Sequence, residues 1–525
     1  MKSTFASFLF LIVLTACGGN NGLINPVIPI PAPLAPGEVS IPAVKYPIPK
    51  GLWSAPTGST PLDGNYIFLQ SDIGDLVGRG NRETYTNANS SLSVSSIDQG
   101  VYVTVDGNLQ WTATFVLPST ATNLQAGYFK NLTKTPFRDP AVGGLEWAGL
   151  GRGCYTINGW VVIDRLIMNG NTMTGLDLRF EQSCDGASAV LHGQIHWNQA
   201  DSERGFLKVP PPIPAGLWDA PVGAMPPSIS YLYLESRQGD PIGGGKTYLY
   251  TKENSILVPT VEGPYLSLSI NGDKIWNGNF QGLKGIPQLA VGYYAGLRQY
   301  PFSNPVLGGI NWYGDGRSCS KLTGWFAVDN VVYKGIDLDA IDLRFEQICM
   351  GYSPLYGKLH WTASDPTVPK GPENPPPPTL WTPPANFVAP NGNYVYLVGD
   401  PGDYIVGPST LLLTANNANI MVRNGEMNAF QISTGVWSGN FMAMSTQTQL
   451  QPGYYGNLIG YPFHNPTRGG LKWSGDGRAC GSIQGWFVVD RVTYSSNKIT
   501  AIDLRFEQRC DGKQAALHGM IHWVK

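Results

Sequence analysis

Residues 503–510 read Asp-Leu-Arg-Phe-Glu-Gln-Arg-Cys, and the same run stands at residues 177–184 and 342–349 with only the residue before the cysteine changed. Because side chains alternate between the two faces of a strand, the Asp, Arg and Glu of this run share one face, while Leu and Phe share the other. The run therefore predicts a half-buried β-strand that occurs once in each of three repeats.

Each copy of the run ends in a cysteine that has a second cysteine 30 residues before it. The pairs are Cys154 with Cys184, Cys319 with Cys349, and Cys480 with Cys510. Equal spacing in three copies favours one disulfide within each repeat over free thiols, and over a metal site, which would need further sulfur or histidine ligands nearby. We therefore expect three separately stapled repeats in an oxidising compartment.

The composition favours an all-β chain with several cores. A length of 525 residues is too great for one hydrophobic core, and 64 Gly, 42 Pro and 25 Tyr are typical of short strands joined by turns. We expect tandem antiparallel β-sandwiches, with a jelly-roll-like arrangement as one form of that fold. Charged residues make up 14% of the chain and the net charge is −2, so a nucleic-acid partner is not expected.

The first residues predict export and a lipid anchor. Residues 1–16 contain one early lysine and the apolar run 5–14, which is too short to span a bilayer and is typical of a signal peptide. The tetrad Leu-Thr-Ala-Cys at 14–17 resembles the bacterial lipobox, where cleavage precedes the cysteine and its thiol is lipidated. The resemblance implies lipidation of Cys17 and, with Gly18 next to it, the outer membrane. The alternative is an ordinary signal peptide with an incidental cysteine.

Proline-rich segments divide the rest of the chain. We predict a lipidated cysteine and Pro-rich tether at 17–50, repeat 1 at 51–199, a linker at 200–215, repeat 2 at 216–364, a linker at 365–379, and repeat 3 at 380–525. All 15 tryptophans occupy equivalent positions, five in each repeat. This regularity indicates a triplicated scaffold.

An aromatic loop in each repeat is the candidate for contact with a partner. It begins with Gly-Tyr-Phe or Gly-Tyr-Tyr and continues to a Pro-Phe pair, and a Gly-x-Gly-Arg turn follows it in the sequence. Tyrosine offers a flat apolar face and a hydroxyl, which suits sugars, peptides or proteins. Equally, these rings would simply pack the loop onto the sandwich. The candidate residues are Tyr128, Phe137 and Arg152 in repeat 1; Tyr293, Tyr294, Tyr300, Asp315 and Arg317 in repeat 2; and Tyr454, Tyr455, Tyr461, Asp476 and Arg478 in repeat 3. Repeat 1 has Leu150 where the others have the acid, so we expect any contact through that acid to be weakest there.

Catalysis and metal binding are disfavoured by spacing. Along a strand the Cα atoms of Asp503 and Glu507 lie about 13 Å apart, beyond the usual separation of glycosidase carboxylates, so the run favours a Glu-Arg-Asp ladder on the sheet surface. The same distance separates His518 from His522, and repeat 2 has Tyr356 at the first of these positions. We therefore predict no catalytic residue, no metal and no cofactor.

Each repeat contains the signature Phe-Glu-Gln-x-Cys-x-Gly, with Gly-Arg-x-Cys upstream, and repeats 1 and 3 close with Leu-x-Gly-x-Ile-His-Trp. This combination resembles a repeat of secreted and surface proteins of bacteria, written FEQHCEG. The resemblance implies an extracytoplasmic protein and carries no activity with it. The copies depart from that pattern on either side of the cysteine, at Ser183, Ile348 and Arg509 before it and at Asp185, Met350 and Asp511 after it.

These observations lead to three functional hypotheses. The first is a lipid-anchored envelope or surface protein whose three repeats bind a glycan or protein partner through their aromatic loops, gaining avidity from three weak sites on one chain. The second is a structural spacer or assembly subunit of the envelope. The third, a polysaccharide hydrolase, is the least favoured, and we expect the chain not to be an enzyme.

Overall fold

The computed structural model describes residues 46–423 and 428–525. The predicted signal peptide, Cys17 and nearly all of the tether lie outside these residues. The described chain is all-β, in three tandem sheets of ten strands each, and the short 3₁₀ helix Gln199–Asp201 is the one helix recorded there. Within the described part, no helix is long and apolar enough to cross a membrane. The predicted all-β, triplicated fold is confirmed.

The strands of the three repeats correspond one to one. Repeat 1 contains β1 (Tyr66–Ser71), β2 (Arg82–Thr86), β3 (Ser90–Ile97), β4 (Gly100–Gly107), β5 (Gln110–Val116), β6 (Gly127–Lys134), β7 (Gly144–Gly149), β8 (Ile157–Asn169), β9 (Thr172–Cys184) and β10 (Val190–Asn198). Repeat 2 contains β11 (Tyr231–Ser236), β12 (Thr247–Thr251), β13 (Ile256–Glu262), β14 (Tyr265–Asn271), β15 (Ile275–Gln281), β16 (Gly292–Gln299), β17 (Gly309–Gly314), β18 (Leu322–Lys334), β19 (Asp337–Cys349) and β20 (Pro354–Thr362). Repeat 3 contains β21 (Tyr394–Gly399), β22 (Thr410–Thr414), β23 (Met421–Arg423), β24 (Ala429–Ser433), β25 (Trp437–Met442), β26 (Gly453–Gly460), β27 (Gly470–Gly475), β28 (Ile483–Ser495), β29 (Lys498–Cys510) and β30 (Ala516–Val524).

Each sheet folds back on itself. In repeat 1 the strand order is β2-β1-β10-β9-β8-β6-β7-β5-β4-β3, and the other repeats have the same order. Neighbouring strands are antiparallel except β6 and β7, which pair in parallel over a short stretch. The edge strands β2 and β3 are consecutive in the chain, and Trp111 on β5 donates a hydrogen bond to the hydroxyl of Tyr85 on β2, at 2.6 Å. The two halves of the sheet therefore face each other as the layers of a sandwich.

The repeated run lies on the central strand β29 and its equivalents β9 and β19, with the predicted alternation of faces. Leu504 and Phe506 point into the core, and Gln508 is fully buried with them. The Gln508 side chain accepts a hydrogen bond from the backbone N–H of Trp473 at 2.7 Å and donates one to the backbone carbonyl of Trp473 at 2.9 Å. Because β27 pairs only briefly with β26, the side-chain amide of Gln508 makes the hydrogen bonds to the Trp473 backbone that a neighbouring strand would otherwise make. Gln182 and Gln347 do the same in the other repeats.

The glycine of the closing Leu-x-Gly pattern gives room to the phenylalanine of the run. Gly519 pairs with Phe506 across β29 and β30, and a Cβ at Gly519 would lie only 2.0 Å from the ring. The ring in turn stacks on the buried Trp473, with centroids 5.2 Å apart. The motif is therefore explained by packing, since a side chain at this glycine would displace the ring from the core.

The three predicted disulfides are present: Cys154–Cys184, Cys319–Cys349 and Cys480–Cys510. Each ties the end of the strand that carries the run to the loop just before the preceding strand. By the chain-entropy model, closing a loop of 30 residues stabilises a repeat by roughly 3–4 kcal/mol.

The proline-rich segment before each repeat is bonded to that repeat. Pro211 accepts a hydrogen bond from the backbone N–H of Tyr293 at 2.8 Å, and Glu373 forms a two-way backbone bridge with Tyr454. Gly292, just before Tyr293, has φ +148°, and a Cβ there would meet Pro210 at 2.6 Å. The glycine of the Gly-Tyr-Tyr pattern thus allows the preceding segment to lie against the sheet.

Candidate functional site

The arginine of the run lies on the outer face of the sheet and hydrogen-bonds the segment that precedes the first strand of its repeat. In repeat 3, Arg505 donates two hydrogen bonds to the Asp490 carboxylate, both at 2.8 Å, and a third to the backbone carbonyl of Trp381 at 3.0 Å. The hydrogen bonds to Asp490 raise the pKa of the Arg505 guanidinium. Arg179 and Arg344 make the same three bonds in repeats 1 and 2.

The carboxylates of the run have ion-pair partners on the same face. Asp503 lies 2.6 Å from Nδ1 of His522 and 2.7 Å from Nε of Arg491. Glu507 lies 2.8 Å from the Arg509 guanidinium and 3.5 Å from His518. These carboxylates are therefore paired with neighbouring side chains, but not in the predicted Glu-Arg-Asp ladder, because Arg505 pairs with Asp490 rather than with Asp503 or Glu507.

The first histidine of each closing pattern supports a tryptophan. His192 stacks on Trp53 with centroids 4.6 Å apart, and His518 stacks on Trp381 at 5.1 Å. Repeat 2 has Tyr356 at this position, stacked on Trp218 with centroids 4.8 Å apart. What the three repeats share is a flat ring rather than a metal ligand. Within the described residues there is no cluster of three or more His, Cys, Asp or Glu side chains that would hold a metal ion.

Two of the candidate tyrosines belong to the core. Tyr294 and Tyr455 are 1% and 0% exposed, and their rings stack on the buried Phe326 and Phe487. Their hydroxyls donate to backbone carbonyls in the loop just before them, and burial raises the pKa of Tyr455 to about 12. Tyr294 and Tyr455 therefore cannot touch a partner, which corrects that part of the prediction. Repeat 1 has Phe129 here, and this substitution is the sequence signal that the position is apolar.

The other tyrosine of each pair lies half-buried on the outer face. The rings of Tyr128, Tyr293 and Tyr454 sit 6.0–6.1 Å from Trp160, Trp325 and Trp486 respectively. Burial raises the pKa of each of these three tyrosines, and the charge of a nearby glutamate adds to the effect: Glu181 for Tyr128, Glu346 for Tyr293, and Glu373 followed by Glu507 for Tyr454. They remain partly accessible, unlike the core rings.

The arginine of each Gly-x-Gly-Arg turn contacts side chains or backbone of its own repeat. Arg152, Arg317 and Arg478 lie over the rings of Trp111, Trp276 and Trp437, at 5.2, 5.5 and 5.8 Å. The acid of the turn pairs with the arginine two residues later, at 2.8 Å for Asp315 with Arg317 and 2.6 Å for Asp476 with Arg478. In repeat 1, which has no acid, the arginine donates to the backbone carbonyl of Val77 instead. This turn therefore has a packing role in every repeat.

The phenylalanine of the Pro-Phe pair is exposed in every repeat. Phe137, Phe302 and Phe463 are 87%, 75% and 81% exposed. An exposed phenylalanine that recurs at one position marks a contact surface more strongly than a scattered apolar residue does. Of the aromatic candidates, these three rings are the most accessible.

A cleft of about 440 Å³ lies between repeats 1 and 2, beside Phe302. Its walls include Ser91 and Asp106 from repeat 1, and Gln281, Lys284, Tyr300 and Ser303 from repeat 2. Tyr300 stacks on Tyr265 with centroids 5.0 Å apart and planes inclined by 26°. The Tyr265 hydroxyl donates to Oδ1 of Asn279 at 2.5 Å, and this hydrogen bond fixes the Tyr265 ring of the stack. Neither the cleft nor the Tyr265–Tyr300 stack follows from the sequence, because both depend on how two distant segments meet.

A second cleft, of about 530 Å³, lies within repeat 2 between Pro259, Glu262, Tyr333, Ile336 and Trp361. The tyrosine hydroxyl there is committed to the backbone carbonyl of Leu289 at 3.0 Å. None of the predicted residues lines this cleft.

Comparison of the chain with family models, with curated proteins and with solved structures returned no match.

Proposed function

We propose that this chain is a lipid-anchored protein of a bacterial envelope that binds a glycan in the cleft between repeats 1 and 2. The observation that carries the proposal is the ring of Tyr300, which stacks on Tyr265 and lines a cleft together with polar side chains and three prolines. The lipid anchor rests on the sequence at residues 14–17, and the three disulfides are compatible with an extracytoplasmic site.

The chemistry of the cleft suits a sugar ring. The aliphatic C–H face of a pyranose packs on a flat aromatic ring. Tyr300 provides such a ring, and its stacking on Tyr265 holds it in place. The hydroxyls of a sugar need both donors and acceptors. Gln281 and Ser303 offer both kinds, Asp106 accepts, and Lys284, which already donates one hydrogen bond to Ser91, has further N–H groups to donate.

The repeats are not equivalent as binding sites. Tyr300 corresponds to Tyr461 in repeat 3 and to Thr135 in repeat 1. Tyr461 has the ring of His464 beside it, 5.6 Å away, but the position of Tyr265 is occupied by Ala429 in repeat 3. We therefore expect the strongest contact at the cleft between repeats 1 and 2, a weaker one in repeat 3, and the weakest in repeat 1. The exposed phenylalanines would add apolar contact at all three.

The test is binding of a panel of neutral and charged oligosaccharides to the full chain, read by calorimetry. Tyr300→Ala should weaken binding of the preferred sugar at least tenfold, because it removes the aromatic platform. Tyr461→Ala is the matched control and should weaken binding less than threefold. If the panel shows no binding at millimolar sugar, or if both variants bind like the parent, the proposal fails.

A structural spacer is the second candidate, and a specific observation favours it. Asn304 of repeat 2 and Asn465 of repeat 3 each donate a hydrogen bond to the preceding repeat, at Asn89 and Asn254. Contacts of this kind hold successive repeats at a defined distance. A pure spacer would bind no soluble sugar, and removing residues 216–379 would impair its role in cells by shortening the chain. A glycan-binding protein would instead lose sugar affinity.

A further inference from the structure

The turn that carries the exposed phenylalanine also carries the contact between repeats. In repeat 2 it reads Pro-Phe-Ser-Asn-Pro at 301–305, in repeat 3 Pro-Phe-His-Asn-Pro at 462–466, and in repeat 1 Pro-Phe-Arg-Asp-Pro at 136–140. We call it the Pro-Phe turn. Its fourth residue is asparagine in repeats 2 and 3, and aspartate in repeat 1.

In all three repeats the first side-chain oxygen of this residue closes the turn. Oδ1 of Asn304 accepts from the backbone N–H of Val306 at 3.1 Å, and Oδ1 of Asn465 accepts from that of Thr467 at 3.0 Å. Oδ1 of Asp139 accepts from the backbone N–H two residues later at 2.8 Å. The local geometry of the turn is therefore the same whether the residue is Asn or Asp.

The second side-chain atom distinguishes the repeats. Nδ2 of Asn304 donates to the backbone carbonyl of Asn89 at 2.8 Å and lies 3.4 Å from Oδ1 of Asn108. At the next junction, Nδ2 of Asn465 donates to the backbone carbonyl of Asn254 at 2.9 Å and to Oδ1 of Asp273 at 2.8 Å. Asn89 corresponds to Asn254 in the alignment of the repeats, and Asn108 to Asp273. The same bond is thus built twice, with equivalent atoms.

The two asparagines that make this hydrogen bond are buried, whereas the aspartate at the same position of repeat 1 is exposed. Asn304 and Asn465 are each 2% exposed, although both lie in a surface turn. Asp139, which has a carboxylate oxygen in place of the amide nitrogen, is exposed. An aspartate in either junction would set a carboxylate against a backbone carbonyl, and at the second junction also against Asp273. Two acceptors facing each other at this distance repel, so this contact between the repeats would be lost.

We propose that Asn304 and Asn465 lock each repeat onto the repeat before it, and that Asp139 is the unlocked form of the same residue. Because Phe302 and Phe463 stand two residues before the locking asparagines, the lock also sets the positions of these exposed rings relative to the preceding repeat. The junction is therefore an interaction surface whose partner is formed by two turns of the preceding repeat, one between its second and third strands and one between its fourth and fifth strands. This inference does not depend on what the chain binds.

The experiment measures distances between repeats in the full chain, with spin labels on cysteines introduced at exposed positions. One pair, Ile73→Cys with Ile336→Cys, spans the first junction, and a second pair, Ile336→Cys with Val388→Cys, spans the second. We expect Asn304→Asp to broaden the distance distribution of the first pair at least twofold and to leave the second pair unchanged. Asn465→Asp should do the reverse.

Asp139→Asn is the matched control, since it makes the same exchange of Asp and Asn in a turn that contacts no other described repeat through this side chain. It should change neither distribution. If Asn304→Asp lowers the melting temperature of repeat 2 itself, Asn304→Ser decides the question, because serine keeps an acceptor for the turn and has no amide to donate across the junction. Unchanged distributions in both Asn304→Ser and Asn465→Asp would overturn the proposal.

Discussion

Replacing Gly357 by alanine tests the packing that explains the repeated run. A Cβ at this position would lie 2.1, 2.3 and 2.9 Å from three carbon atoms of the Phe345 ring. Phe345 is fully buried, and its ring has Trp312 at 5.1 Å and Phe280 at 5.3 Å, so it cannot swing aside without displacing other core rings. The added methyl group must push the ring, or β20 must move away from β19.

The expected loss of stability can be worked from these contacts. Overpacking a core by one methyl group commonly costs about 1–3 kcal/mol. Since all three distances at Gly357 fall below any normal carbon–carbon contact, the upper end of that range applies, at about 3 kcal/mol. For a domain of this size, such a change lowers the melting temperature by roughly 6–12 °C. Calorimetry of the full chain should show one of its transitions shifted by this amount.

Two further variants make the result specific. Gly460→Ala is the matched control, because Gly460 is also a strand glycine with φ outside the left-handed range, and the nearest atoms of Ile483 lie at 3.6 Å, an ordinary contact. It should change the free energy of unfolding by less than about 1 kcal/mol. Phe345→Leu frees space beside Gly357, so the double variant Phe345→Leu/Gly357→Ala should cost clearly less than the sum of the single variants. Strictly additive costs, or a Gly357→Ala chain that melts like the parent, would refute this explanation of the motif.

Three further predictions concern the disulfide, the arginine of the run and the pH dependence. Replacing Cys319 and Cys349 by alanine should cost repeat 2 about 3–4 kcal/mol in denaturant unfolding, and a loss below about 1 kcal/mol would contradict the loop-entropy account. Arg505→Gln should cost about 1.5–3 kcal/mol and change the tryptophan fluorescence of repeat 3, whereas Arg491→Gln, at an exposed pair, should cost less than about 1 kcal/mol. Burial lowers the pKa of His464. As the pH falls, the unfolded chain therefore binds a proton at His464 before the folded chain does. The stability contributed by His464 is therefore present above about pH 6.5 and lost as the pH falls below it, and His464→Ser should remove that part of the pH dependence in thermal unfolding.

The regular half of the fold could be predicted from the sequence because its signals are local. Alternating residues in the run determine which side chains face inward, and three equal spacings determine the disulfides. Which of two adjacent tyrosines faces the core is also a question of alternation, and Phe129 in repeat 1 answers it for Tyr294 and Tyr455. Alternation places Gln508 on the core face with Leu504 and Phe506, but a polar residue is expected there only where a buried backbone group needs a partner, and the sequence does not show that group.

The site and the junctions could not be predicted, because they join residues that are far apart in the chain. Tyr265 begins β14 and Tyr300 lies in the turn after β16, and Asn304 is 215 residues from its partner. No periodicity connects such positions. The sequence does contain one indirect signal, the change from Asn to Asp at a single position of an otherwise repeated turn.

Differences among the three copies are more informative about role than their similarities. Positions that are alike in all repeats, such as the run and its cysteines, serve the common fold. Where the copies differ, the structure shows which property must be kept. Tyr356 replaces a histidine and keeps the flat ring that stacks on tryptophan, while Leu150 replaces an acid and the arginine of that turn still lies over its tryptophan. Asp139 loses the donor that the other two repeats use, and it is the copy whose side chain is exposed. By the same reasoning, Tyr265, which repeat 3 replaces with alanine, belongs to a property of repeat 2 alone, and the cleft beside it is where a role specific to that repeat should be sought.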